Sequence, residues 1–253
     1  MIIDADTHIS PLKGDNRISV EELTEEMDQA GVDKALTWLQ PPCTVAKSNE
    51  YVFQSMKKYP DKILGFGWAD PREGVDTAIN NVKKCVYDYG FYGVKLNGAQ
   101  NDYYIDDEKL ALPVIEEIAK TGKILAFHIG ADAPDKTSPH RAAKIAQTFP
   151  GLKILLVHMG GAGTPEISDE VIEVAQKYPN TYLIGSNVSS RAILKAVKTL
   201  GAERICFGSD MPFVSISEAL EKYEDLLDGE ITEKKQHKIM GGNIKRLFEF
   251  QKS

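Results

Sequence analysis

Asp6 and His8 stand two residues apart at the end of the opening stretch Ile2-Ile3-Asp4-Ala5-Asp6-Thr7-His8. In an extended strand, residues two apart project to the same side. A carboxylate and an imidazole sharing one face can hold a divalent cation. Alone, the pair reads more simply as a solvated acid and a hydrogen-bonded histidine just past a strand end. The remaining histidines change that. The chain has five. His128 closes the apolar run Ile124-Leu125-Ala126-Phe127, and His158 closes Ile154-Leu155-Leu156-Val157, whereas His140 and His237 fall in helical stretches. Asp210 follows Ile205-Cys206-Phe207-Gly208-Ser209, and Lys95 lies in Gly93-Val94-Lys95-Leu96. Structural histidines have no reason to gather at the ends of apolar runs. The chemistry this points to is a metal-activated water, whose pKa falls to about 7 at a favourable divalent site.

The elements that must position these residues are short strands. Candidates are Ile2-Ile3, Ala35–Leu39, Ile63–Trp68, Gly93–Leu96, Ile124–His128, Ile154–His158, Tyr182–Gly185 and Ile205–Ser209. Between them lie stretches of helical period. Ser19 and Glu22 form a capping box for the first, which stops at Gly31. The others span Ser48–Tyr59, Asp76–Tyr89, Asp107–Lys120, Ser138–Phe149, Ser168–Tyr178, Ser189–Leu200 and Ser215–Leu227. Eight strands alternating with eight helices require parallel pairing with helical crossovers. At 253 residues this is the length of a closed (β/α)8 TIM barrel. A doubly wound open sheet is the runner-up, weakened by the missing Gly-rich turn after strand one. We expect a single domain over 1–253, with extra C-terminal helices beyond Glu230 and Asn243 capping the last. Connecting loops read as short, Ile9–Ile18 being the one notable excursion. A neighbouring subunit of a homo-oligomer could then complete the site. Active sites of such barrels lie at the C-terminal strand ends.

Composition narrows the partners. The net charge is -7 with no basic run, which disfavours nucleic acid. No run of about eighteen apolar residues occurs, so no membrane span is expected. Cys43, Cys85 and Cys206 form no CxxC pair, and no signal segment opens the chain. A reducing, cytoplasmic setting follows. There is no Gly-x-Ser-x-Gly elbow and no Walker loop. Gly160-Gly161-Ala162-Gly163 reads as room for the chain to turn beside His158. Trp38 and Trp68 read as packing residues, and Asn97 and Asn187 as rim positions.

The order Asp-x-His, Lys, His, His, Asp at strands one, four, five, six and eight resembles the amidohydrolase superfamily. The words Gly93-Val94-Lys95-Leu96, His128-Ile129-Gly130, Val157-His158-Met159-Gly160-Gly161, Gly208-Ser209-Asp210-Met211-Pro212-Phe213 and Asn243-Ile244-Lys245-Arg246-Leu247-Phe248 look like its amidohydrolase 2 branch. That branch holds hydrolases and non-oxidative decarboxylases of the aminocarboxymuconate-semialdehyde type. The resemblance, with strand position, implies Asp6, His8, His128 and Asp210 as metal ligands. Asp210 would also be the catalytic base, and His158 would polarise a substrate carbonyl. Many relatives have His-x-His on strand one; Asp6 in the first place adds negative charge. One ion is implied, zinc first and manganese as the alternative, with Lys95 not needed as a carboxylated bridge. Lys95, Arg141 and Arg191 are candidates to hold an anionic small-molecule substrate. The expected activity is hydrolysis of a C–N or C–O bond. The alternative is a lyase, decarboxylating or hydrating an aromatic or muconate-like acid; a non-catalytic binding barrel is the remaining rival.

Overall fold

The structure, a computed structural model, describes residues 1–39, 44–130, 132–162 and 166–249. Cys43 and Gly163 lie outside them. Strands β1 (Ile3–Ile9), β2 (Lys34–Leu39), β3 (Ile63–Gly65), β4 (Gly67–Trp68), β5 (Gly93–Leu96), β6 (Ile124–Gly130), β7 (Ile154–Gly160), β8 (Thr181–Ile184) and β9 (Ile205–Cys206) pair in parallel, each with the next in sequence. The exception is β3 to β4, which are two halves of one strand broken at Phe66. There Phe66 N donates to Thr37 O (3.0 Å) and Tyr92 N to Gly65 O (3.2 Å). The flanking glycines let neighbouring side chains press in. A Cβ on Gly65 would lie 2.5 Å from the Phe91 ring, and one on Gly67 would lie 2.6 Å from Cys85 Sγ. The ring closes where Ala5 N donates to Phe207 O (3.0 Å), His8 N to Met211 O (2.8 Å) and Asp210 N to Asp6 O (2.9 Å). The eight-stranded TIM barrel is thus complete.

Helices α1 (Val20–Ala30), α2 (Val45–Lys58), α3 (Val75–Lys83), α4 (Ala111–Lys120), α5 (Pro139–Thr148), α6 (Ile167–Lys177), α7 (Ser190–Leu200) and α8 (Ile216–Leu227) form the outer ring. The Ser19–Glu22 capping box is present and Gly31 ends α1 at φ 72°. Three helix boundaries differ from the sequence expectation, the first being α2, which starts at Val45, three residues before Ser48. α3 widens into a π-type turn over Lys84–Asp88 before Gly90. α4 starts at Ala111, because the Asp107 carboxylate accepts from Lys109 N and Leu110 N and holds a turn instead. Residues 97–110 therefore form a second long excursion at the mouth, beside Ile9–Ile18. No described helix is long and apolar enough to cross a membrane.

Alternate strand residues fill the barrel: Ile3, Ala5, Leu36, Leu64, Phe66, Ile124, Ala126, Leu155, Val157, Tyr182, Ile184 and Cys206 pack as one cluster. Their strand neighbours face the helices in a separate, larger cluster. After α9 (Glu233–His237), α10 (Asn243–Glu249) joins the inner cluster through Ile244, Leu247 and Phe248, with Phe248 stacked on Tyr92 at 4.2 Å. Asn243 does not act as a side-chain cap. Its Nδ2 donates to Ala202 O (2.6 Å) and Ile205 O (2.7 Å), anchoring α10 to the last strand.

Candidate active site

Strict alternation along β1 would put Asp6 and His8 on the side opposite Ile3 and Ala5, towards the helices. A register shift between Asp4 and Thr7 prevents this. Beyond it His8 pairs with Trp38, an inner residue of β2. The bulge thus re-aims the strand end into the barrel mouth. Asp210, after β9, reaches the same place with its backbone at φ 73°. His8 Nε2 then lies 3.6 Å from Asp6 Oδ1 and 3.6 Å from Asp210 Oδ1. One ligand atom from each of Asp6, His8 and Asp210 lies within 4.8 Å of the others, and all three residues are buried.

These residues fit a divalent cation. Asp6 Oδ1 and His128 Nε2 are buried without a hydrogen-bond partner, a costly state that a coordinated ion would relieve. His8 Nδ1 meets the Leu39 carbonyl at 3.0 Å, so Nδ1 carries the hydrogen and Nε2 carries the lone pair on the cluster side, where the Trp38 indole N–H also reaches it. Burial, reinforced by Lys95, pushes the His8 pKa down to about 3. His128 is held well below the ordinary histidine value by burial, then by His158 and Lys95. Both imidazoles are neutral, as a ligand must be.

Charge at the site is balanced from below. Lys95 follows the inward parity of β5 and is 1% exposed. Its Nζ is 3.9 Å from Asp6 Oδ1 and 3.8 Å from the centre of the Trp38 ring. Burial lowers its pKa to about 8, against the pull of Asp6 and Asp210. Burial opposes the charge on Asp6, yet Lys95, His158 and His8 outweigh it and hold that carboxyl below its usual range. Asp210 goes the other way: burial, then Asp6, raises it to about 8. Two neighbouring acids are thus driven apart, one held as carboxylate and one inclined to keep a proton.

On β7, His158 follows the inner residue Val157, so alternation alone would turn it outwards. Its φ of 64° and that of Met159 (47°) turn it into the mouth. Its ring centre is 4.8 Å from that of His128. Burial lowers its pKa, with Asp6 opposing.

The structure therefore gathers Asp6, His8, Lys95, His128, His158 and Asp210 at one rim. Arg141 and Arg191 are engaged elsewhere. Arg141 pairs with Asp106 (2.6 Å) and covers the Tyr104 ring (4.2 Å); Arg191, 70% exposed, pairs with Asp169 (3.4 Å). Four further residues belong to the site. Asp4 lies beneath it, its Oδ1 accepting from Ser209 N (2.9 Å) and Asp6 N (3.1 Å). Ser186 touches Asp6 and His158. Asn187 Nδ2 donates to Asp210 Oδ2 (3.2 Å). Trp38 is more than packing, since its indole N–H donates to His8 Nε2 (3.1 Å). Only Asn187 carried any signal in the sequence, as a polar residue just past the seventh strand.

Comparison with known proteins agrees with this geometry. The family Amidohydro_2, described as amidohydrolase, matches residues 3–250. The gamma-resorcylate decarboxylase of Polaromonas sp. (strain JS666) is 23% identical, over 89% of this chain and 86% of that protein. The 2-amino-3-carboxymuconate-6-semialdehyde decarboxylase of Dictyostelium discoideum is 22% identical, over 77% of this chain and 63% of its own length. Among solved structures, the dihydroxybenzoic acid decarboxylase of Polaromonas sp. JS666, with bound manganese and the inhibitor 2-nitroresorcinol, superimposes with a TM-score of 0.77. It is 20% identical, over 100% of this chain and 98% of that one. The expectation of a hydrolase is corrected by these relatives: they are lyases that release carbon dioxide, the class the sequence offered as its alternative. The match from residue 3 to residue 250 shows that the chain belongs to the Amidohydro_2 family of amidohydrolases.

Proposed function

We propose that this protein is a metal-dependent, non-oxidative decarboxylase of a small aromatic acid. The observation that carries this is the buried Asp6–His8–Asp210 cluster at the barrel mouth, in a chain similar over most of its length to decarboxylases of aromatic acids. Decarboxylation of an aromatic acid needs a proton delivered to the carbon that loses the carboxylate, and consumes no water. Asp6, His8, His128 and Asp210 would hold the cation. Two carboxylates beside two imidazoles form a donor set hard enough for manganese, and manganese is bound in the Polaromonas structure, so we place it ahead of zinc. When bound, such an ion supplies positive charge that holds and polarises an anionic substrate.

The side chains do the rest. Asp210 moves the proton to the ring carbon as its bond to the carboxylate breaks, the bonding pair staying on the carbon and taking that proton. It is reprotonated from solvent once carbon dioxide has left. His158 faces the substrate with Nε2 and bears on one of its oxygens. Lys95 keeps Asp6 ionised, so that of the two acids Asp210 is the one that carries the proton. A cytoplasmic setting suits this reading, with the buried Cys85 and Cys206 as free thiols.

The test is to supply manganese-loaded protein with 2,6-dihydroxybenzoate and related hydroxylated benzoates in deuterium oxide. Carbon dioxide should appear with one deuterium on the carbon that bore the carboxylate. Water addition to an unsaturated acid, with no carbon dioxide from any benzoate, would reassign the protein as a hydratase.

A further inference from the structure

We propose that Ser186 is a positioning residue: its hydroxyl ties Asp6 to His158 and sets which edge of the imidazole meets the substrate. The backbone brings it there. β8 ends at Ile184, whose side chain faces into the barrel, so Ser186, two residues on, faces the same way. It is fully buried. Two glycines make the close packing possible. A Cβ on Gly185 would lie 2.0 Å from the Tyr223 hydroxyl, and one on Gly208 would lie 3.1 Å from Asp6 Cβ and 3.3 Å from Ser186 Cβ.

A serine hydroxyl has one hydrogen to donate. Ser186 Oγ donates it to Asp6 Oδ2. Towards anything else that oxygen acts as an acceptor. His158 Nδ1 is 3.0 Å from it and 3.2 Å from the Ser186 carbonyl oxygen, which is also acceptor-only. Nδ1 therefore carries the hydrogen, and Nε2, at the far edge of the ring, is left for substrate. Neutral histidine free in water favours the opposite tautomer. The same bond divides the work of Asp6, with Oδ2 on Ser186 and Oδ1 on the ligand side, 3.6 Å from His8 Nε2. Partners of this kind fix ligand orientation, and their loss typically costs about 10–100-fold in metal affinity or activity.

The test has one arm on the wild-type protein and one on variants. With diamagnetic zinc bound, nitrogen-15 NMR of His158 should show hydrogen on Nδ1. Hydrogen on Nε2 would overturn the proposal, because the hydroxyl would then have to donate to His158. In Ser186→Ala, manganese affinity measured by calorimetric titration and kcat should each fall about 10–100-fold, with KM changed less than about threefold. Ser186→Thr, which keeps the hydroxyl, should restore most of both. Unchanged affinity and kcat in Ser186→Ala, or a loss that Ser186→Thr shares in full, would equally overturn it. The kinetic arm rests on the decarboxylase reading; the NMR and titration arms do not. A failure of that reading alone would leave those two results as expected.

Discussion

Lys95 Nζ lies 3.9 Å from Asp6 Oδ1, and neither side chain reaches solvent. Removing one partner of such a pair leaves the other as an uncompensated buried charge, at a cost of about 3–5 kcal/mol. Lys95→Met should therefore lower the unfolding free energy of chelator-treated protein by about that much in urea titrations. Added manganese should recover part of it, since the ion supplies charge to the same carboxylates. A change below about 1 kcal/mol would show that Lys95 does not balance Asp6.

Metal removal should abolish turnover. Exhaustive chelation followed by a single addition of manganese should restore it, with elemental analysis giving one ion per chain. Two tightly bound ions would demand a bridging role for Lys95. Binding to the folded state alone also raises stability, by about 2.7 kcal/mol at one hundred times the dissociation constant. The melting temperature should rise with manganese and be less sensitive to it in His128→Ala, because the buried Nε2 of His128, which has no hydrogen-bond partner and lies 3.7 Å from Asp132 Oδ2, is the fourth donor proposed.

Asp210→Asn keeps the shape of the side chain and removes its ability to carry a proton. A positioned proton donor contributes typically about 100- to 10,000-fold. We expect kcat to fall within that range, while an inhibitor such as 2-nitroresorcinol still binds, as read by titration. Retention of more than about a tenth of wild-type kcat would move the proton donor elsewhere, with His158 next in line.

Asp4 links stability to pH. Burial, opposed by its bonds to Ser209 and Asp6, raises its pKa from 3.8 to about 7. A carboxyl raised on folding stabilises the native state fully below its unfolded value, and that contribution is lost as pH rises through the folded one. In metal-stripped protein, Asp4 should contribute a decline of order 4 kcal/mol between about pH 4 and pH 7, set against the rise that the buried neutral His8, His128 and His158 contribute over the same range. Asp4→Asn mimics the protonated acid and should flatten that decline in urea midpoints measured across the range. An equal slope in both proteins would exclude Asp4 as its source.

Much of this molecule was legible in one dimension. Alternating strand and helix periods required parallel pairing, and parallel pairing of eight units closes a barrel. Strand ends could be read because apolar runs stop where chemistry starts. That placed Asp6, His8, Lys95, His128, His158 and Asp210 on one rim. The Ser19–Glu22 cap was equally plain, being a contact between residues three apart. Arg141 and Arg191 were less tractable: an arginine near a mouth carries no mark of whether a local acid such as Asp106 or Asp169 already pairs with it.

Which way those strand ends point was decided by tertiary structure. Alternation along β1 and β7 directs Asp6, His8 and His158 towards the helices; the register shift after Asp4 and the left-handed backbone at His158 turn them inwards. Such shifts depend on pairing with strands far away in sequence, and periodicity records only the strand itself. Ser186, Asp4 and the indole N–H of Trp38 stayed hidden for the same reason. Each acquires its role from a partner 28 or more residues away, as in Ser186 to His158, Asp4 to Ser209 and Trp38 to His8. The sequence alone determined the barrel and the rim that carries the chemistry. Folding decided the orientation of those side chains, and with it the opposite pKa shifts of Asp6 and Asp210, because burial and neighbouring charge exist only once the strands have met.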